Sequence, residues 1–133
     1  MLHEARVALV VDDEEEARMF VRSILENERW QVIEADTGRR AIELAQDEQP
    51  ELIVLDVMMP EADGFEVYRK LRGDAATENI PIVMLTAVNE FESGARHDEE
   101  SMEAESGLRR PEGFVDKPVD PGFLLFTING IMG

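Results

Sequence analysis

One stretch decides the fold: Leu52-Ile53-Val54-Leu55-Asp56-Val57-Met58-Met59-Pro60, followed by Asp63-Gly64. A continuous apolar run bounded by turn residues predicts a strand that is buried on both faces of a parallel sheet, and this strand ends at Asp56. In such a sheet the ligand crevice lies outside the carboxyl ends of the strands. A buried aspartate is rare unless it is paired or reactive. Asp56 is therefore the first candidate for the chemistry, and the alternative is an aspartate that only caps a loop.

The composition is typical of one acidic domain. The chain has 133 residues, no cysteine and a formal net charge of −17. A domain of this size buries enough surface to fold without disulfides, so we expect a single domain over residues 1–133. The negative charge argues against nucleic acid as a direct partner. Without a signal-peptide pattern or an apolar run near the ~20 residues that span a bilayer, the sequence predicts a soluble cytoplasmic protein with no membrane partner.

Strand and helix patterns alternate along the chain. Apolar runs predict further strands over residues 7–11, 31–35, 80–85 and 113–116. Helical spacing of apolar residues predicts helices over 15–28, 39–48 and 65–72, and a closing helix that opens near Asp120-Pro121. Asp13 is expected to cap the first helix, and Gly64 only to relieve a turn. Strands that alternate with helices in this way predict an α/β fold, with a doubly wound parallel sheet covered on both faces.

Right-handed crossovers bring the carboxyl ends of all five predicted strands to one edge of the sheet. The residues at this edge are Asp12, Asp13, Asp56, Thr86 and Lys117. Carboxylates at close range need a cation to stay ionised, and oxygen ligands suit Mg²⁺, which joins carboxylates to a phosphate. A lysine adds a point charge for a phosphoryl oxygen, and a threonine adds a hydroxyl donor. The set predicts a phosphoryl-transfer site with Asp56 as the nucleophile.

Each of these residues also has a simpler interpretation. Asp12 or Asp13 could serve only as a helix cap, and Thr86 could only end its strand. Met58 and its neighbour Met59 are typical of core filling, so the Met58 side chain is not expected to be a ligand.

Four short motifs, taken in their order along the chain, resemble those of the receiver domain of two-component response regulators. They are the Asp12-Asp13 pair, Leu55-Asp56-Val57-Met58-Met59-Pro60 with Asp63-Gly64, Thr86-Ala87 and Lys117-Pro118. The resemblance covers about residues 5 to 132. It implies a flavodoxin-like three-layer sandwich with five parallel strands in the order 2-1-3-4-5.

The resemblance also implies a function, in which Asp56 takes a phosphoryl group from a phosphohistidine. The donor would be a histidine kinase or a phosphotransfer protein, and the phosphorylated domain would control a downstream protein target. Asp13 and Asp56 would bind Mg²⁺ directly, together with the main-chain carbonyl of Met58, and Asp12 would act partly through water. Such a domain catalyses only its own phosphorylation and dephosphorylation.

Further roles implied by the resemblance concern the response to phosphorylation. Lys117 would contact the phosphoryl group, and Thr86 would swing toward it and pull the following loop. Phe114 lies where the family has a switching aromatic, here without the hydroxyl of a tyrosine, and its alternative role is plain core packing. Two positions that set the lifetime of the phosphoryl group are Met58 and Val88, both apolar. Because neither can orient an attacking water, we expect slow self-dephosphorylation.

The span 88–112 departs from the family pattern. It is longer than usual, acidic and weakly patterned, with no clear Gly-Ala-Asp turn before Phe114. We therefore expect an irregular fourth helix region here, either short or mobile. The chain ends just after the receiver pattern, which fits a stand-alone receiver or a fragment of a larger regulator.

Two other functions are alternatives to a phosphorylated receiver. A pseudo-receiver would be an interaction module that no longer takes phosphate. A Mg²⁺-dependent aspartyl phosphatase would need its nucleophile on the first strand and a second acid two residues later. Asp12-Asp13-Glu14-Glu15 offers Glu14 or Glu15 for that second acid, which is not the expected pattern.

Overall fold

The computed structural model describes residues 6–57, 64–87 and 111–132, and these form a five-stranded parallel sheet between two layers of helices. The described strands are β1 (Arg6–Val11), β2 (Trp30–Ala35), β3 (Leu52–Asp56), β4 (Ile82–Ala87) and β5 (Gly113–Lys117). The described helices are α1 (Glu15–Asn27), α2 (Gly38–Glu48), α3 (Gly64–Arg72) and α4 (Pro121–Met132). The strand order is β2-β1-β3-β4-β5, with every neighbouring pair parallel. The predicted flavodoxin-like arrangement is confirmed.

The central strand β3 divides the core into two halves, because successive side chains of a strand point to opposite faces. Leu52 and Val54 pack into the cluster that includes α1 and α4. Ile53 and Leu55 pack into the cluster that includes α2 and α3. All five residues of β3 are buried. An apolar core on both faces of the strand thus delivers Asp56 to the carboxyl edge of the sheet.

Side chains cap the N-termini of two of the described helices. Thr37 caps α2 by accepting a hydrogen bond from the Arg40 main-chain N–H at 3.1 Å. Asp120 accepts from the Phe123 N–H at 2.8 Å, as expected for an opening of α4 near Asp120-Pro121. The prediction that Asp13 caps α1 is wrong.

The N-cap position of α1 belongs to Glu14, whose side chain makes no capping bond. The nearby side-chain acceptor is Asp12 instead, because its Oδ1 accepts from the Glu14 N–H at 3.0 Å. Asp13 is exposed. The two neighbouring aspartates therefore have different structural positions, one folded into the turn and one facing outward.

Gly64 does more than relieve a turn. Its N–H donates to the Val57 carbonyl at 3.0 Å, which places the first residue of α3 directly against the end of β3. A Cβ atom at this position would lie 2.6 Å from the Asp56 carbonyl oxygen and from Val57 Cα. Both are backbone atoms that cannot rotate away, so only glycine lets α3 pack so closely behind Asp56.

Arg72, at the end of α3, connects three parts of the chain. Its buried guanidinium donates hydrogen bonds to the Tyr68 hydroxyl, the Glu78 and Ile80 carbonyls and the Glu112 carboxylate. Glu112, just before β5, also accepts from the Ile82 N–H at 2.7 Å. One buried cation thereby joins α3, the start of β4 and the start of β5.

Two predictions fall mainly outside the described residues. The irregular region 88–112 is described only at Pro111 and Glu112, and Met58 is not described. The expected fourth helix region and the Met58 carbonyl ligand therefore stay predictions. Among the helices that are described, none is long and apolar enough to cross a membrane.

Candidate functional site

Three carboxylates meet at the carboxyl edge of the sheet. Asp12 and Asp13 follow β1, and Asp56 ends the neighbouring β3. Each can offer one oxygen such that the three oxygens lie within 4.8 Å of one another. Asp12 and Asp56 are both 1% exposed, while Asp13 is open to solvent. Within the described part of the chain, this is the one such group of three or more acidic or metal-binding side chains.

Lys117, at the end of β5, supplies the positive charge. Its Nζ lies 2.8 Å from Asp56 Oδ1 and 3.5 Å from Asp12 Oδ2. Burial alone would lower the pKa of Lys117, but the hydrogen bond to Asp56 and the charges of Asp56 and Asp12 outweigh burial. The pKa therefore lies above its ordinary value. Lys117 is a permanent cation at neutral pH.

Asp12 is held in place through its main chain as well as its side chain. Its N–H donates to the Ala35 carbonyl at 3.1 Å, and its carbonyl accepts from Arg18 Nη1 at 2.8 Å. Arg18 is itself oriented by Glu34, because Arg18 Nε donates a hydrogen bond to Glu34 Oε1 at 3.0 Å. The loop that carries the two aspartates is thus anchored to β2 and α1 before any ligand is bound.

The cluster fits a hard divalent cation. Three carboxylates face one ammonium, so the site keeps an excess of negative charge. Asp12 Oδ2 is buried and accepts no hydrogen bond from the described residues, and the Lys117 ammonium reaches it only at 3.5 Å. A buried anionic oxygen in this state is costly unless a cation compensates it. Oxygen ligands with an open, solvent-facing side suit Mg²⁺, which retains several waters.

Thr86 lies at this edge, but its hydroxyl is engaged elsewhere. Thr86 is 1% exposed, and its Oγ1 donates to Asp116 Oδ1 at 3.1 Å. The two residues are register partners on β4 and β5. The predicted swing of Thr86 toward a phosphoryl group would therefore begin from a hydroxyl that is bonded to Asp116.

Phe114 lies two residues before Asp116 on β5. It is half-buried and packs against the core cluster on the α2 and α3 face. Its register partner is Met84. This partly exposed position is compatible with both the predicted switching role and plain packing.

Sequence reasoning missed Asp116 and Arg18. Asp116 stands next to Lys117, and the register of β4 with β5 was the signal that would have paired it with Thr86. Arg18 lies on α1 six residues after Asp12, and no local pattern predicts its bond to a main-chain carbonyl.

Comparisons with known proteins show the family and the fold to which this chain is similar. A family model, the response regulator receiver domain, matches residues 8–129. The protein PilH of Pseudomonas aeruginosa is 31% identical over 124 residues, which cover 93% of this chain and 95% of PilH. The transcriptional regulatory protein SrrA of Staphylococcus aureus is 44% identical over 94 residues, but these cover only 38% of SrrA. The crystallised chemotaxis protein CheY4 of Vibrio cholerae superposes with a TM-score of 0.79 at 29% identity, covering 96% of this chain and 99% of CheY4.

Proposed function

The chain belongs to the response regulator receiver domain family, a family of signalling domains, and we propose that it accepts a phosphoryl group on Asp56. One observation carries the proposal. Asp56 ends a fully buried strand with Lys117 Nζ at 2.8 Å and with two further carboxylates in reach of a shared cation. Such a site combines a nucleophile, a fixed positive charge and a cation position around one open edge.

The reaction is the transfer of a phosphoryl group between two proteins. A carboxylate oxygen of Asp56 attacks the phosphorus of a phosphohistidine on a histidine kinase or a phosphotransfer protein. The new bond is an acyl phosphate O–P bond, the P–N bond breaks, and the imidazole leaves and takes up a proton. No other group is consumed, so the domain is changed by the reaction and acts on a downstream protein in its changed form.

Asp12, Asp13 and Asp56 would hold Mg²⁺, with the Met58 carbonyl as the further ligand proposed from the sequence. When bound, Mg²⁺ supplies charge neutralisation for the phosphoryl oxygens and the carboxylates. Lys117 would hold a phosphoryl oxygen by its ammonium, which the local carboxylates keep protonated. Thr86 would donate its hydroxyl to the transferred group, and Phe114 would respond to that movement.

The test is phosphorylation by a small acyl phosphate. The protein is incubated with acetyl phosphate, with and without Mg²⁺, and weighed intact by mass spectrometry. We expect a gain of one phosphoryl group that requires Mg²⁺ and is absent in Asp56→Asn. Asp36→Asn is the matched control, because Asp36 is an exposed aspartate that directly follows β2. It should gain the phosphoryl group like the wild type.

Other outcomes would reject the proposal in distinct ways. No adduct in the wild type, with rapid turnover excluded, would favour a phosphorylation-independent interaction module. Steady release of phosphate without an accumulating adduct would favour an aspartyl phosphatase. An adduct that persists in Asp56→Asn would mean that another carboxylate is the acceptor.

A further inference from the structure

The hydroxyl of Thr86 has one proton to donate, and in this structure that proton goes to Asp116. Thr86 Oγ1 lies 3.1 Å from Asp116 Oδ1, across the register pair that joins β4 to β5. A hydroxyl can accept two hydrogen bonds but can donate only one. The same O–H therefore cannot bond to Asp116 and to a phosphoryl oxygen at the same time.

We propose that Asp116 is a positioning residue that holds Thr86 in its resting orientation and competes with the phosphoryl group for its hydroxyl. This inference rests on the proposed function, since it describes how the same site is regulated. Among the described residues, Asp116 is bonded to Thr86, whereas Lys117 contacts the acceptor carboxylate and Asp12. Asp116 acts through Thr86 and sets how readily that side chain turns toward Asp56.

The environment of the two side chains supports such competition. Thr86 is almost completely buried, so water cannot easily replace a lost acceptor. Asp116 is exposed and retains its solvation, so its carboxylate offers a charged acceptor without a burial cost. A hydrogen bond to an ionised acceptor is roughly twice as strong as one between neutral groups. Only a group with comparable charge, such as a phosphoryl oxygen, would draw the hydroxyl away.

The residue next to Asp116 engages a different part of the site. Lys117, directly after Asp116, is bonded to Asp56 and lies near Asp12. Adjacent residues of β5 thus engage the two parts of the site separately, Lys117 the acceptor and Asp116 the hydroxyl. A domain that favours its resting form in this way responds more slowly to a phosphodonor, because only the activated fraction is competent to react.

The test measures two quantities in the wild type, Asp116→Ala and Asp116→Asn. One is the rate of phosphoryl gain from acetyl phosphate with Mg²⁺, followed by intact mass. The other is the Thr86 methyl resonance without phosphodonor, compared with its position in the phosphorylated wild type. We expect Asp116→Ala to react about tenfold faster and to shift the resonance toward the phosphorylated position. Asp116→Asn retains a neutral acceptor oxygen, so its rate should lie about threefold above that of the wild type. Asp47→Asn and Asp47→Ala, at an exposed site on α2, control for the loss of charge.

A double-mutant cycle separates the hydroxyl from a general charge effect. In a Thr86→Val background, Asp116→Ala should change the rate less than twofold, because no hydroxyl remains to be held. The inference would be overturned if Asp116→Ala and Asp116→Asn raised the rate equally, and if they did so in the Thr86→Val background as well. Simple charge repulsion by Asp116 would then explain the rates.

The remaining outcomes also decide the question. Wild-type rate and an unshifted Thr86 resonance in Asp116→Ala would reject the positioning role while phosphorylation of Asp56 stands. A slower reaction in Asp116→Ala would mean that Asp116 assists the transfer, which also rejects the inference. No phosphoryl gain in the wild type would reject the proposed function, and the competition at Thr86 with it.

Discussion

Lys117 Nζ lies 2.8 Å from Asp56 Oδ1, so the proposed phosphoryl contact is bonded at rest to the proposed acceptor. The ion pair keeps the ammonium in place without a ligand, and the side chain is only 26% exposed. A charge fixed beforehand contributes more to a transition state than one that must be reoriented. We therefore expect the proposed phosphoryl transfer to depend strongly on Lys117.

Replacing Lys117 by methionine should slow phosphoryl gain from acetyl phosphate by about 10²-fold, because one fixed positive charge is lost. The matched control is Lys70→Met, which removes an exposed lysine of α3 that pairs with Glu66. The control should react at the wild-type rate. Equal rates in the two variants would show that Lys117 takes no part in the phosphoryl transfer.

The pH dependence of stability should follow from the raised pKa of Lys117. A group whose pKa is raised by folding stabilises the fold fully below its unfolded pKa, and this contribution is lost as pH rises through the folded pKa. That folded pKa lies above 10.5. The difference in free energy of unfolding between the wild type and Lys117→Met should therefore be constant between about pH 7 and 9 and shrink only in strong alkali. Urea titrations at several pH values measure it, and a decline already near neutrality would contradict the assignment.

Asp12→Asn should raise the stability of the protein without Mg²⁺ and weaken its binding of Mg²⁺. The change removes one of two buried carboxylates, so repulsion falls and the melting temperature without Mg²⁺ should rise by several degrees, corresponding to about 1 kcal/mol. Mg²⁺ binding, measured by calorimetric titration, should weaken by about tenfold or more. Asp36→Asn should change neither quantity. A variant that melts lower and still binds Mg²⁺ normally would show that Asp12 is only structural.

Gly64→Ala should disturb Asp56 from outside the site. The new Cβ would lie 2.6 Å from backbone atoms of Asp56 and Val57, so α3 or the end of β3 must move. We expect a loss of about 2 kcal/mol in the free energy of unfolding and slower phosphorylation. Gly130→Ala is the control on α4, where a Cβ would meet nothing within 4 Å. It should leave stability unchanged or raise it by up to about 1 kcal/mol.

Arg72→Met should lower the free energy of unfolding by about 3 kcal/mol, because four hydrogen bonds from a buried cation are lost together. The control is Arg69→Met on the exposed side of α3, with an expected change below about 0.5 kcal/mol. Denaturation in urea gives both values. Similar values for the two variants would show that the network is weak.

The lifetime of the phosphoryl group is predicted from the sequence alone. With apolar Met58 and Val88 at the two positions concerned, the adduct should persist for minutes to hours once the phosphodonor is removed. Met58→Asn should shorten this time, since an amide can hold a water molecule. Intact mass measured over time after rapid desalting tests it, and decay within seconds in the wild type would disprove the prediction.

The strands and helices were predictable because their signals are local. The apolar run 52–55 is short and bounded by turn residues, which favours a buried strand over a helix. The parallel order then places Asp12, Asp56 and Lys117 at one edge of the sheet without knowledge of any contact. What could not be predicted depends on register and on close approach. The bond from Thr86 to Asp116 requires the pairing of two particular strands, and it lies outside any short motif.

The failed prediction about the helix cap has a similar reason. Asp13 has the right residue type at the right place, but the turn after β1 brings Asp12 to the Glu14 N–H instead. Residue type alone cannot tell which of two neighbouring aspartates turns inward. The close approach of Gly64 to the backbone of Asp56 and Val57 could not be predicted for the same reason. In sequence, a glycine that only forms a turn looks the same as one that has no room for a Cβ atom.

The bonds of Arg72 have a consequence for how this domain can be diversified or engineered. Glu112 is bonded to Arg72 and to the Ile82 N–H, so the residue just before β5 is tied to the end of α3 and to the start of β4. Lys117 lies five residues after Glu112, at the end of β5, so its alignment with Asp56 depends on where this strand starts. A redesign of the domain that keeps Arg72 and Glu112 therefore keeps the bonded point from which β5 starts.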